Sequence, residues 1–194
     1  MSKADKTKEL IIERTAGIFN TKGFSGTSLT DMTDVTGLTK GSIYGNFKNK
    51  NEVALEAFKF NLQIMNHLFE TEMAKKHTFR DKLLVYTEIL NNFSESKFPL
   101  GGCPILNTAV ESDDTHPELK QKAQKALLEW KEKIGDLLQK GIKASEFKPG
   151  LNVEQVAITM LATIEGAIMI RKLTDNQKYI IMIMQSLQDY IKQL

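Results

Sequence analysis

TSLTDMTDVTGLTKGSIYGNFK, Thr27 to Lys48, is the stretch whose reading decides the fold. It parses as two short helices joined by a tight turn. Ser28 stands where an N-cap is needed, and Asp31, three residues on, supplies the acid of a shortened capping box. Leu29, Met32 and Val35 then fall at helical spacing on one face. Gly37 occupies the position where a helix end takes a left-handed residue, and Leu38 is placed to fill the angle between the two helices. Thr39 caps the second helix, Ile43 and Phe47 face inward, and Lys40, Ser42, Tyr44 and Asn46 face outward. A helix pair of this kind, with a polar second helix, is the layout that places its second helix in a DNA major groove.

Before this stretch, Lys3 to Thr21 carries Leu10, Ile11, Thr15, Ile18 and Phe19 as a core stripe, and Gly23 ends that helix with Phe24 tucked into the small domain. Lys3, Lys6 and Lys8 form either a basic arm for phosphates or a minor groove, or a solvated terminus, and the residues leave both open. After Phe47, Asn49 and Glu52 start a long helix towards Lys75, with Ala54, Phe58, Leu62, Met65, Phe69 and Met73 along one side. Beginning beside the DNA and ending in the second domain, it is the candidate mechanical link between them.

Phe79 to about Ser94 forms the next helix, stopped by the breaker cluster Lys97-Phe98-Pro99-Leu100-Gly101-Gly102. Pro104 opens a short helix, and Pro117 a long one that keeps helical period to about Ser145. Asn152 caps the next helix and the final one runs from Asn176 to Gln193; both are so apolar around their circumference that one small chain lacks the material to cover them. The expectation is a homodimer in which residues 152–172 and 176–193 pack against their copies as a four-helix interface.

Charge is distributed to match. Through Lys50 there are eight Lys or Arg against five acids, on a chain whose net charge is only +2. A basic head on a near-neutral body suits a local DNA footprint and excludes indiscriminate coating of nucleic acid. The reading finds no apolar run of membrane-spanning length and no signal peptide, so it expects a cytoplasmic protein with no membrane partner. A single cysteine excludes an internal disulfide, and Cys103 with the scattered His67, His77 and His116 gives no metal site. With no phosphate loop, no nucleophile elbow and no catalytic cluster, no catalytic residue, no cofactor and no enzyme activity is expected.

The run TGLTKGSIYGNFKNKNEV, with Ser28, Gly37, Lys40-Gly41-Ser42, Tyr44 and Phe47 in one order, resembles the signature of the TetR family of transcriptional regulators. The resemblance implies an all-α chain of about nine helices, with an N-terminal three-helix helix-turn-helix domain over 1–48 and a C-terminal helical ligand-binding and dimerisation domain over 49–194. Thr27, Ser28, Tyr44, Lys48 and Lys50 are then expected at the DNA backbone, and Thr39, Lys40, Ser42, Gly45 and Asn46 at base edges. Many TetR-like proteins carry histidine where Gly45 and Asn46 stand, so contacts here differ in detail.

Two heads on a dimer would read half-sites ~34 Å apart, hence a palindromic operator. By the same resemblance the protein is a repressor, released when a small-molecule effector enters a pocket drawn from Met65, Phe69, Tyr86, Phe93, Cys103, Asn107, Trp130 and Thr163. Cys103, after two glycines and at a helix start, is either an electrophile sensor, as in a few TetR-like proteins, or an inert core residue. The competing reading of the whole chain is a helical protein-interaction module that no longer binds DNA.

Overall fold

Local capping sets the boundaries of most helices. The computed structural model describes residues 2–92, 98–113 and 115–194. Among them are nine helices and no strand: α1 (Lys3–Gly26), α2 (Leu29–Thr36), α3 (Lys40–Asn46), α4 (Lys50–Met73), α5 (Phe79–Asn91), α6 (Pro104–Ser112), α7 (Pro117–Lys143), α8 (Val153–Thr174) and α9 (Gln177–Gln193). Ser28 and Asp31 form the expected reciprocal capping box. Gly37 ends α2 at φ 67°, and Thr39 accepts from the Ser42 amide at the start of α3. Asn152 caps α8 as expected, and Asn176, expected as the first residue of the last helix, is the N-cap of α9. Gly23, at φ 74° and ψ 179°, breaks α1, so its last residues form a separate turn.

Packing divides the chain into two units that differ from a cut after residue 48. The first comprises Met1–Met65 with Phe98–Gln124; the second comprises Asn66–Lys97 with Lys125–Leu194. Thus α6 belongs with the unit that carries α1, α2 and α3, the head, and α4 and α7 contribute to both units.

The first unit is built around Ile11, Phe19, Met32, Ile43, Phe47, Val53 and Ala57, all buried. Tyr44, Leu38 and Phe24 pack on this cluster while partly exposed. Burying such side chains supplies about 1.5–3 kcal/mol each, the driving force that holds the short α2 and α3, which would not form alone in water. Val35 departs from the expected inward face. It is 36% exposed, because α2 is only two turns long and its last turn projects beyond the core.

In the second unit α9 packs against both α5 and α8. Its buried stripe is Ile180, Met184, Leu187 and Ile191; α5 buries Leu83, Tyr86 and Leu90, and α8 buries Met160, Ile164 and Ala167 among others. Arg80 ties this unit together. Its guanidinium donates to the carbonyls of Ile191 (2.6 Å) and Glu146 and stacks on the Phe147 ring, 4.9 Å away. By length and composition α8 would be able to cross a membrane, contrary to the expectation that no such run exists. One side of it, Val156, Ala157, Met160, Leu161, Ile164, Ala167 and Ile168, is buried in this chain, while Ile158, Met169 and Leu173 stay exposed.

Candidate DNA-binding surface and effector cluster

Thr39, Lys40, Gly41 and Gly45 are exposed along α3, with Ser42, Tyr44 and Asn46 half-buried. The Thr39 hydroxyl oxygen accepts the Ser42 amide at 3.2 Å, so its own proton is left to donate outward. Asn46 spends one donor on the Ser42 carbonyl, 2.8 Å away. Tyr44 rests its ring on the head core, which fixes the direction in which its hydroxyl points. With exposed lysine, glycine and hydroxyl groups on one short helix, this surface can offer donors and close backbone approach to base edges.

Around it the cations are held in place to different degrees. Lys48 is exposed, and its amide donates to the Glu52 carboxylate at 2.7 Å. Lys50 Nζ lies 4.5 Å over the Phe24 ring. Lys8 Nζ sits 5.0 Å over Phe47 and 3.9 Å from Glu52, which places this member of the N-terminal lysine group against the folded head. Such cation–ring contacts steer a side chain without neutralising it, and Lys8 is further held by its ion pair with Glu52.

Two sequence expectations change here. Thr27 is fully buried and its hydroxyl donates to the Gly23 carbonyl at 2.6 Å, so its side chain cannot reach a phosphate. Ser28 is exposed, yet its hydroxyl donates to Asp31 at 2.7 Å and accepts from the Asp31 amide at 3.0 Å. A phosphate needs a donor, and Ser28 has already committed its proton. Both residues shape the start of α2. Lys22 completes that device: its ammonium, 2.7 Å from Asp31, together with the Ser28 amide and hydroxyl, holds the Asp31 carboxyl well below the usual carboxylate range.

The residues expected around an effector are divided between the two units. Phe69, Tyr86 and Trp130, all buried in the second unit, pack ring on ring at centroid distances of 5.0, 5.3 and 6.1 Å. Asn66, unmarked in the sequence reading, accepts the Trp130 indole N–H at 3.1 Å. Burial, with a smaller push from the Glu70 charge, raises the Tyr86 phenol far above its ordinary value, so it stays neutral. Thr163, also in the second unit, turns its hydroxyl back to the Thr159 carbonyl. Met65 closes the first unit's share of α4, and Cys103 and Asn107 lie wholly in that unit. Cys103 is fully buried, and Asn107 donates to the carbonyls of Asn20 and Gly101. Phe93 lies outside the described residues.

Residues 11–57 match the family model of the bacterial regulatory proteins of the tetR family, and residues 80–187 match the tetracyclin repressor-like C-terminal domain. The chain belongs to the TetR family of transcriptional regulators. A solved TetR-family regulator from Cytophaga hutchinsonii is 46% identical, with 98% of this chain and 96% of that one covered at a TM-score of 0.95. Another, from Chloroflexus aurantiacus J-10-FL, is 34% identical, covering 100% and 98% at a TM-score of 0.93. A probable HTH-type transcriptional regulator from Pseudomonas putida, ArpR, is 28% identical over 171 residues, covering 85% of this chain and 80% of that protein.

As a TetR-family member the protein is a DNA-binding transcriptional regulator, and α2 and α3 are its helix-turn-helix. Among the described residues no group of three His, Cys, Asp or Glu could hold a metal ion. The sequence reading missed Asn66, Arg80 and Glu111, which bond to groups up to 111 residues away in the chain. Local pattern carries no signal for such partners.

Proposed function

We propose that this TetR-family regulator is a cytoplasmic repressor that binds a palindromic operator as a homodimer and leaves it when a small apolar molecule enters the second unit. The observation that carries the DNA half is the α3 surface, where Thr39, Lys40 and Gly45 are exposed on a helix whose other side is locked in the head core by Ile43. Lys40, Thr39, Ser42 and Asn46 read bases, with Gly45 allowing close approach, while Tyr44, Lys48 and Lys50 hold phosphates. On this reading the functional boundary falls after Lys48, where reading surface gives way to the helices that carry it.

Exposed apolar residues on the last two helices support the dimer. Ile158, Met169 and Leu173 on α8 are 47%, 45% and 78% exposed, and Tyr179 and Met182 on α9 are 45% and 65% exposed. Ile158, Ala162, Met169 and Leu173 follow one another at helical spacing, a stripe that includes a small residue where two helices can approach closely. A second chain covering these faces would remove their apolar side chains from water.

The effector half rests on the buried Phe69, Tyr86 and Trp130 cluster of the second unit, with Asn66 as its polar partner. Its full burial makes Cys103 a packing residue in this reading, since electrophiles attack an accessible thiolate. Enrichment of bound sequences from a random DNA pool tests the proposal. A palindromic consensus, bound by a dimer and released by some member of an apolar compound panel, is expected. Failure to enrich any sequence would instead favour the protein-interaction module.

A further inference from the structure

One face of α6 is sewn to the end of α1 within the first unit. Asn107 and Glu111 are one helical turn apart and so share that face. Asn107 Nδ2 donates to the carbonyls of Asn20 (3.0 Å) and Gly101 (2.9 Å), and Asn20 Nδ2 donates to those of Leu100 (2.7 Å) and Gly102 (2.9 Å). Glu111 does more than join two helices. Its Oε2 accepts the Phe24 amide and its Oε1 the Ser25 amide, each at 2.8 Å.

Those two amides belong to the turn that Gly23 opens, and Thr27, at the far end of the turn, closes it by donating to the Gly23 carbonyl. The turn fits the carboxylate so closely that a Cβ on Gly23 would lie 2.4 Å from it. Two residues after Ser25 the chain reaches Thr27 and then the Ser28 cap, from which α2 and α3 follow without slack.

We propose that Glu111 is a positioning residue for operator binding: acting from α6, it holds the α1–α2 turn and thereby sets the angle at which the helix-turn-helix is presented to DNA. Glu111 need not touch DNA. Only a carboxylate can serve both amides, because an amide side chain would turn an NH2 towards one of the two donors. Charge-assisted bonds of this kind are about twice as strong as neutral ones, which suits a joint that must keep an angle.

The inference rests on the operator-binding reading, and one experiment separates the two. Wild type, Glu111→Gln and Glu111→Asp are titrated with the operator enriched by the wild type and with unrelated DNA, and the Phe24 and Ser25 amide resonances are followed by NMR. Glu111→Gln is expected to bind operator about tenfold or more weakly. Its affinity for unrelated DNA, carried by phosphate contacts, should change far less, and the Phe24 and Ser25 resonances should move upfield. Glu111→Asp, which keeps the charge on a shorter arm, should recover part of the loss.

Operator affinity equal to wild type in Glu111→Gln would overturn the positioning role, and unmoved amide resonances would overturn the joint itself. Should Glu111→Gln fail to fold, amide exchange in the wild type decides: slow exchange at Phe24 and Ser25 supports the joint, and exchange at the rate of an open turn overturns it. A wild type that enriches no DNA overturns the operator reading, whatever the amides show.

Discussion

Replacing Gly23 and Gly37 by alanine, one at a time, separates backbone strain from the close approach of Glu111. Both glycines have positive φ, 74° and 67°. At Gly37 nothing lies within 4 Å of an added Cβ, so Gly37→Ala should cost only the left-handed strain, about 1–2 kcal/mol. At Gly23 the backbone, with ψ 179°, lies in a region open essentially to glycine, worth about 1–3 kcal/mol of strain. There the Cβ would also meet the Glu111 carboxylate at 2.4 Å and drive it off the Phe24 and Ser25 amides. Two charge-assisted bonds at about 1.5–3 kcal/mol each bring Gly23→Ala to about 4 kcal/mol or more.

At about 2–4 °C per kcal/mol for a chain of this length, Gly23→Ala should lower Tm by about 8 °C or more, and Gly37→Ala by about 2–8 °C. Thermal and urea unfolding followed by circular dichroism measure both. In a Glu111→Gly background the clash is gone, and Gly23→Ala should cost only its strain, a coupling that a double-mutant cycle reads directly. If Gly23→Ala costs no more than Gly37→Ala, or if its cost is the same with and without Glu111, the reasoning about this turn is wrong.

Three further outcomes are expected. Lys48→Ala, and Tyr44→Phe with its ring packing retained, should weaken binding to all DNA sequences, and loss of the Lys48 phosphate contact should lower the salt slope by about 1; a slope identical to wild type would remove Lys48 from the phosphate contacts. Met169→Glu with Met182→Glu should give monomers by sedimentation and abolish operator binding at subunit concentrations where the wild type is saturated, with helix content kept, whereas an intact dimer would move the interface elsewhere. Asp31→Asn should flatten the acid side of the stability profile. The folded-state pKa of Asp31 is lowered, first by Lys22 and then by Ser28, so its contribution is complete above the unfolded carboxyl value of ~3.9 and is lost as pH falls below it. Wild-type and variant urea midpoints that stay parallel from neutral pH down to ~3 would contradict this.

Much of the reading surface was legible because its determinants are close in sequence. Ser28 with Asp31, Gly37 as the C-cap and Thr39 with Ser42 all close within four residues, and the structure has each of them. Thr27 was misassigned because a threonine one residue before a cap looks the same whether its hydroxyl faces solvent or the Gly23 carbonyl. The effector set was split for a related reason. Asn107 and Cys103 have the composition of pocket residues, but only the docking of α6 on α1 shows that they belong to the head.

By itself the sequence determined the all-helical class, the capped helix starts, the helix-turn-helix and the family, since caps, turns and periodicity are written in neighbouring residues, whereas the end of α1, expected at Thr21, lies at Gly26. The tertiary structure alone decided which faces are covered and which side chains work at a distance. Met182 and Met184 are two residues apart in one apolar helix, yet the first is 65% exposed and the second fully buried. Glu111 bonds to amides 86 and 87 residues away, at a turn that its own neighbours in sequence do not announce. Local bonds form wherever the chain is helical, whereas burial and long-range bonds exist only once the helices have docked.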